Sequence, residues 1–265
     1  MIKQTLKCFT LAVLLAPPVA VQAQFTFTTN NGAITITGHT GSESVVVIPD
    51  TTNGLVVTSI GVGAFFNNPG VLSVTIGNNV TNIGDAAFRY CTGLTNISIP
   101  SSVASVGYAA FDNCRSLANA IIPNSVTSIG HDAFSYCYSL TNVTLPDQLS
   151  TVDSNTFYHC VSLTSISIPD GVTNISSYAF FYCLSLTNVT IGNHVVNIGP
   201  EAFGSCISLS GATISDSVTR IGYAAFAASG LTSVSIPNGV ISIEGDAFSL
   251  CPGLTNATIG TSVTN

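Results

Sequence analysis

The stretch AFSYCYSLTNVTLPD, from Ala133 to Asp147, recurs along the chain at a fixed spacing. A near-copy that begins 23 residues upstream reads AFDNCRSLANAIIPN, and another that begins 46 residues downstream reads AFFYCLSLTNVTIGN. The phenylalanine of the stretch marks the register, which advances by 23 residues at every step except the last, where it advances by 22: Phe65, Phe88, Phe111, Phe134, Phe157, Phe180, Phe203, Phe226 and Phe248. A period of this length predicts a solenoid in which each repeat forms one coil and stacks on the next.

Each repeat combines a strand pattern with a segment that favours a tight turn. Five apolar residues keep fixed offsets, and in one coil they are Phe134, Cys137, Leu140, Val143 and Leu145. The pattern L-x-x-V-x-L-P predicts a short strand whose last two apolar residues point inward. Stacked coils should pair these strands into a parallel sheet with a spacing of about 4.8 Å. The segment DAAFRYC, residues 85–91, predicts a short helical turn that buries its Phe and Cys.

Columns of identical side chains should build one continuous core, because each coil presents the same space to its neighbour. The Phe and Cys members of this core are Phe88, Phe111, Phe134, Phe157, Phe180, Phe203, Phe226, Cys91, Cys114, Cys137, Cys160, Cys183 and Cys206. Stacking places cysteines of adjacent coils about 4.8 Å apart, whereas a disulfide needs a Cβ–Cβ separation of about 3.8 Å. We therefore favour a column of buried free thiols over disulfides, and no C-x-x-C pair indicates a zinc site.

The repeat unit LTNVTLP…VxxIGxxAFxxCxSL resembles the BspA-like leucine-rich repeat of secreted and surface-attached bacterial proteins and of some protozoan surface proteins. The resemblance extends from roughly Val45 to Asn265. It implies a right-handed leucine-rich-repeat solenoid of the α/β type, with short strands in a parallel sheet, short helical turns and about nine 23-residue coils. It also implies roles in adhesion, in host or matrix binding and in protein–protein contact, and it supplies no catalytic residues.

The first 23 residues have the pattern of an export signal. Two lysines precede an apolar run, and Val21-Gln22-Ala23 matches a small-residue cleavage signal, so we expect cleavage after Ala23. A membrane anchor is the alternative, but the apolar run is short and Pro17-Pro18 interrupts it. The sequence therefore predicts a secreted or cell-surface protein with no membrane span in the mature chain.

The two ends of the mature chain differ from its repeats. Residues 24–44 contain FTFTTNNGAITITG, whose alternation around Asn30-Asn31-Gly32 predicts a β-hairpin that caps the solenoid. Residues 45–265 form the predicted solenoid, whose last coil is incomplete. A coil without a polar cap leaves a strand edge open, so we expect either that a further segment is missing from this end or that the end is used for self-association.

Charge and motif content exclude several classes of function. After cleavage the chain keeps three arginines and no lysine against twelve acidic residues, a net charge of −9. Such a chain has no basic surface for nucleic acid or for an anionic membrane. The absence of lysine from residues 24–265 also excludes a Walker loop and Schiff-base chemistry, and no G-x-S-x-G motif occurs. We expect no enzymatic activity, no cofactor and no metal site.

The outward positions of the predicted strands carry the candidate binding residues. They share small hydroxyl and amide side chains and are Thr95, Asn96, Ser98, Thr141, Asn142, Thr144, Thr164, Ser165, Ser167, Thr187, Asn188, Thr190, Thr232, Ser233 and Ser235. Solenoids use extended surfaces of this kind for binding. The competing interpretation is that these β-favouring polar residues only keep the surface hydrated.

Aromatic residues form a second candidate surface. Tyr90, Tyr136, His159 and Tyr182 each follow a repeat phenylalanine by two positions. They could stack on glycans, or they could simply cover the edge of the core, where half-buried tyrosines are common.

Three functional hypotheses follow. The first is an exported or surface-attached, non-enzymatic protein that binds an extracellular protein or glycan through its sheet face. The second is a structural spacer or a module that stacks end to end. The third is an ice-binding type of flat Thr/Ser face, which the mixture of Thr, Ser and Asn fits poorly.

Overall fold

A computed structural model describes residues 25–265, so the predicted signal peptide, residues 1–23, lies outside the described residues. This part of the chain is a solenoid of short strands joined by turns. The strands are β1 (Phe25–Asn30), β2 (Ala33–His39), β3 (Val45–Val47), β4 (Thr51–Thr52), β5 (Leu55–Ile60), β6 (Ser73–Thr75), β7 (Asn82–Ile83), β8 (Asn96–Ser98), β9 (Ser105–Val106), β10 (Asn119–Ile121), β11 (Ser128–Ile129), β12 (Asn142–Thr144), β13 (Thr151–Val152), β14 (Ser165–Ser167), β15 (Asn174–Ile175), β16 (Asn188–Thr190), β17 (Asn197–Ile198), β18 (Gly211–Thr213), β19 (Arg220–Ile221), β20 (Ser233–Ile236), β21 (Ser242–Ile243) and β22 (Asn256–Ile259).

One side of the coil stack, which we call the strand face, consists of β3 and the even-numbered strands from β6 to β22. Neighbouring strands pair in parallel and in register with the repeat, so Ser165 lies opposite Asn188 and Ser167 opposite Thr190. The hydrogen-bonded ladder forms four groups, β3-β6-β8, β10-β12, β14-β16-β18 and β20-β22. The parallel sheet predicted from the 23-residue period is confirmed.

A second side carries the odd-numbered strands from β7 to β21, which have two residues each and also pair in parallel along the stack. The chain begins this side with the antiparallel hairpin of β1 and β2, and β2 pairs in parallel with β5. Asn31 and Gly32 turn the hairpin with φ angles of 50° and 78°, the left-handed conformation that a two-residue type I′ turn requires. The hairpin thereby joins the backbone of the second side.

The third side, which we call the turn face, contains the segments around each repeat phenylalanine. The predicted short helical turns are wrong: the described chain contains no helix. Around Phe88, for example, Ala86 and Tyr90 are left-handed, with φ of 52° and 61°. This conformation turns every second N–H toward the next coil, and the Phe88 N–H donates to the Ala110 carbonyl at 2.8 Å. A helix would keep these donors within its own segment.

The core lies between the three sides and follows the repeat. The phenylalanine rings from Phe65 to Phe248 stack on one another, with centroids 4.8 Å apart at the closest pair and 5.6 Å at the widest. Every ring from Phe88 to Phe226 is completely buried. Because each ring contacts the rings of both neighbouring coils, the stack couples every coil to the next.

Each buried cysteine adds a second link between coils. The Cys160 thiol donates to the Phe134 carbonyl of the preceding coil at 3.2 Å, and Cys183 does the same to Phe157 at 3.3 Å. The Phe134 carbonyl also accepts from the Cys137 N–H of its own coil, at 3.3 Å. The thiols therefore act as buried hydrogen-bond donors as well as small apolar groups.

Candidate functional site

The structure places the fifteen predicted binding residues together on the strand face, or at the residue that precedes each of its strands. All are exposed except Thr141, which is half-buried. Between them, the alternate residues of each strand point inward, as Ile166 and Val189 do. The strand face is therefore a broad uncharged surface with rows of hydroxyl and amide groups running along the solenoid.

The threonines that precede β8, β12, β14, β16 and β20 have a role that the sequence pattern does not show. The Thr95 hydroxyl donates to the Leu72 carbonyl at 2.9 Å, and the Thr187 hydroxyl donates to the Thr164 carbonyl at 3.1 Å. The same bond to the preceding coil forms at Thr141, Thr164 and Thr232. Because each of these threonine hydroxyls donates its proton to a backbone carbonyl, the threonine column offers a ligand only hydrogen-bond acceptors.

The first and third residues of each strand are better placed to contact a ligand. Ser165 and Ser167 of one coil lie beside Asn188 and Thr190 of the next, about 4.8 Å away. These side chains are exposed and supply both donors and acceptors. The rows are not uniform, because Ile121 is 74% exposed in the same column as Thr144.

A groove follows the edge of the strand face where the strands end. It consists of three adjoining cavities of 490, 370 and 410 Å³, which extend from Val143 to Pro237. The first two share Ser167, Pro169 and Asp170, so they are continuous. We call this feature the edge groove. Together with the strand face it offers an elongated site rather than a single closed pocket.

The turn face carries a cluster of aromatic side chains that we call the aromatic cluster. Its rings contact one another across three coils, and its members are Tyr136, Tyr138, Tyr158, His159, Tyr178, Phe181 and Tyr182. His159 stacks on Tyr182 with centroids 4.3 Å apart and lies 5.1 Å from Tyr136. Burial among these rings lowers the pKa of His159. Its imidazole therefore favours the neutral form.

Sequence reasoning identified only part of this cluster. It grouped Tyr136, His159 and Tyr182 by their shared position but missed Tyr158 and Phe181, which directly follow a repeat phenylalanine. The signal was present as FYH at residues 157–159 and FFY at residues 180–182. In a helical turn the two positions would be separated by about 100°. The left-handed backbone at His159 and Tyr182 accompanies their approach to the neighbouring column.

The buried cysteines have no chemistry of a reactive site. All seven cysteines within residues 25–265 are free thiols, and six of them are buried. Burial raises the pKa of Cys91 and of Cys206 to about 12, and it also raises the pKa of the four thiols between them. The thiols are therefore protonated at neutral pH and are poor nucleophiles or metal ligands.

Two further kinds of feature are absent from residues 25–265. No group of three or more His, Cys, Asp or Glu side chains is placed to hold a metal ion. In the same range, no helix has the length and apolar character needed to cross a membrane.

Comparison with known proteins agrees with this geometry. The model of the BspA type leucine-rich repeat region matches six copies, within residues 58–184 and 150–265. Among solved structures, a leucine-rich repeat protein of T. pallidum is 31% identical with a TM-score of 0.64, and the match covers 72% of this chain and 89% of that one.

Two further solved structures are also similar to this chain. A Bacteroides ovatus leucine-rich repeat protein is 24% identical with a TM-score of 0.54. The match covers 92% of this chain and 88% of that one, and at this identity it shows the fold alone. A leucine-rich cell surface protein from Faecalibacterium prausnitzii is 28% identical with a TM-score of 0.49, and covers 91% and 88%. A search of curated proteins found no match. On the extent of the family match, the chain belongs to the BspA-type leucine-rich repeat family.

Proposed function

We propose that this chain is an exported, non-enzymatic binding protein that recognises an extracellular protein or glycan through the strand face and the edge groove. The observation that carries the proposal is the exposed array of uncharged hydroxyl and amide groups on that face. The export pattern of residues 1–23 and the family membership support it.

The geometry favours an elongated ligand. The edge groove crosses several coils, and the adjoining polar rows repeat at the spacing of the coils. An extended polypeptide or a linear glycan has polar groups at short intervals along its length, so it can use several coils at once. Each single contact is weak, and the affinity comes from their number, as in other solenoids.

The uncharged character of the face makes charge a sharp test. The triple variant Asn142→Lys, Ser165→Lys and Asn188→Lys introduces three long cationic side chains across adjacent strands. A matched control, Ser128→Lys, Ser150→Lys and Val196→Lys, places the same charge at exposed positions near the second side. Residues 24–265 and both variants are screened against arrayed glycans and extracellular proteins.

The proposal expects the parent protein and the control to bind the same ligand and the strand-face variant to lose it. Lysine in these rows obstructs the surface and removes hydrogen-bonding groups, which should weaken binding at least tenfold, about 1.4 kcal/mol. Equal binding by all three proteins would contradict the use of the strand face. The absence of any ligand for the parent protein would contradict the binding function itself and favour the structural-spacer hypothesis.

A further inference from the structure

A separate cavity on the turn face combines aromatic and acidic groups. It has a volume of 440 Å³ and is lined by Asp132, Ser135, Tyr136, Asn155, Tyr158 and Tyr178. The lining residues come from three successive coils and are outside the strand face and the edge groove. Three of the lining residues are tyrosines, and Asp132 contributes a carboxylate.

A related contact occurs on the same face, although its carboxylate comes from a different position of the repeat. Two coils earlier, the Arg89 guanidinium lies 5.0 Å from the centroid of the Tyr90 ring and donates to Asp112 at 2.7 Å. Arg89 and Tyr90 follow Phe88 by one and two positions, as Ser135 and Tyr136 follow Phe134. Ser135, which lines the cavity, thus occupies the position of Arg89 in the repeat.

Charge around the cavity is also suited to a cation. Asp132 is hydrogen-bonded to Asn155, and its pKa is raised by burial and by the nearby carboxylate of Asp112. Arg89, whose charge acts on Asp132, already pairs with Asp112. A second carboxylate, Glu201, accepts from the Tyr178 hydroxyl at 3.1 Å. A cationic ligand would thus meet tyrosine rings and carboxylates, and both attract positive charge.

From this geometry we infer that the cavity is a binding site for a basic side chain, namely the guanidinium of an arginine in a partner polypeptide. A guanidinium is planar and stacks on tyrosine rings while it donates to a carboxylate, so it can use both features at once. Arg115, which lies 5.6 Å from the centroid of the Tyr138 ring, shows the same stacking elsewhere in this region. The site is independent of the proposed strand-face ligand.

The test uses Nα-acetyl-arginine amide as the probe and Nα-acetyl-citrulline amide as its uncharged isostere. Binding to residues 24–265 is followed by NMR of ring-labelled tyrosine. We expect the arginine probe to shift the resonances of Tyr136, Tyr158 and Tyr178 with a dissociation constant on the order of millimolar, as befits one small group. The citrulline probe should bind at least tenfold more weakly, because it lacks the charge.

Two variants locate the site. Asp132→Asn removes the charge with little change in shape, and Asn tolerates the left-handed conformation of this residue, whose φ is 59°. Its matched control is Asp246→Asn, which has the same φ of 59° and the same position relative to a repeat phenylalanine. Asp132→Asn should weaken the binding of the arginine probe about tenfold, and Asp246→Asn should leave its binding unchanged. In Ser135→Arg, the introduced guanidinium should occupy the cavity and abolish binding.

Several outcomes would overturn the inference. Equal shifts with the citrulline probe would show that charge is not recognised. Equal effects of Asp132→Asn and Asp246→Asn would indicate non-specific attraction to an acidic protein. Tyrosine shifts with methyl glucoside but not with the arginine probe would identify a sugar site instead. The strand-face triple-lysine variant should bind the probe normally, so failure of this site and failure of the proposed function are distinguishable.

Discussion

Ser165 and Asn188 occupy equivalent positions of the strand face one coil apart, and both expose an uncharged polar side chain. Arg89 and Ser135 also occupy equivalent positions, on the turn face, but they differ in size and charge. Both faces are held by backbone hydrogen bonds between coils. On the turn face, these bonds leave the residues around each phenylalanine free to vary. The comparison teaches that the strand face offers repetition for an extended ligand, while the turn face can build a local site.

Removal of a shared core ring should have the largest effect, because it weakens both faces together. Phe157→Ala leaves a cavity in the phenylalanine stack and should lower the free energy of unfolding by about 3–5 kcal/mol. Half-buried Phe181, which belongs to the turn face alone, is the control, and its replacement by Ala should cost about 1 kcal/mol. Urea unfolding followed by circular dichroism measures both, and equal losses would contradict the distinction.

Gly130→Ala should have the next largest effect on stability, because it disturbs the contact between coils beside the turn face. A Cβ atom at Gly130 would lie 2.6 Å from the Tyr108 nitrogen, and the backbone has to move to accept it. We expect a loss of about 1–3 kcal/mol in the free energy of unfolding. Gly245→Ala is the control, because its Cβ would have no neighbour closer than 3.7 Å. Thermal melting of both variants checks this prediction, and equal melting temperatures would contradict it.

The cysteine column allows a finer comparison. Cys160→Ala removes the donor to the Phe134 carbonyl, whereas Cys160→Ser keeps a donor at that position. The alanine variant should lose about 1 kcal/mol in the free energy of unfolding, and serine should lose less. Ser229 already occupies this column in a later coil and is buried. If serine proved the more damaging residue in urea unfolding, the thiol would matter only as an apolar group.

The smallest effect concerns pH and is confined to the turn face. Burial lowers the pKa of His159 in the folded state, so the unfolded chain takes up the proton more readily below its own pKa of about 6.5. Stability should therefore fall as the pH decreases from about 6.5 toward the lower folded value. His159→Phe should remove this part of the dependence. The test compares the urea midpoints of the parent protein and the variant at pH 7.5 and at pH 5.5. An equal decrease in midpoint in both proteins would exclude the effect.

The repeat itself could be predicted from the sequence because the Phe, Leu and aliphatic positions each demand an apolar slot at a fixed interval. The prediction of a helical turn was wrong because it rested on the short spacing of apolar residues. The backbone of this segment instead contains left-handed residues such as Ala86 and Tyr90. Non-glycine residues seldom adopt that conformation, so the sequence alone gives little indication of it.

The candidate sites were predictable to different degrees. Alternation along the strands was enough to predict which side chains face outward, but it could not show that the Thr187 hydroxyl bonds to the preceding coil. The turn-face cavity depends on Asp132, Tyr136 and Tyr158 approaching from separate coils. That approach follows from backbone geometry rather than from any local motif.

The hydrogen bonds between coils also determine how the molecule would respond to mechanical force. On the turn face they link each coil to the next, as the Phe88 N–H does with the Ala110 carbonyl. A pull along the stack therefore loads one boundary between coils after another. Each coil that peels away would release 23 residues, an extended length of about 80 Å, from a step of about 4.8 Å. Under tension the chain would lengthen in equal increments while the remaining coils kept their structure.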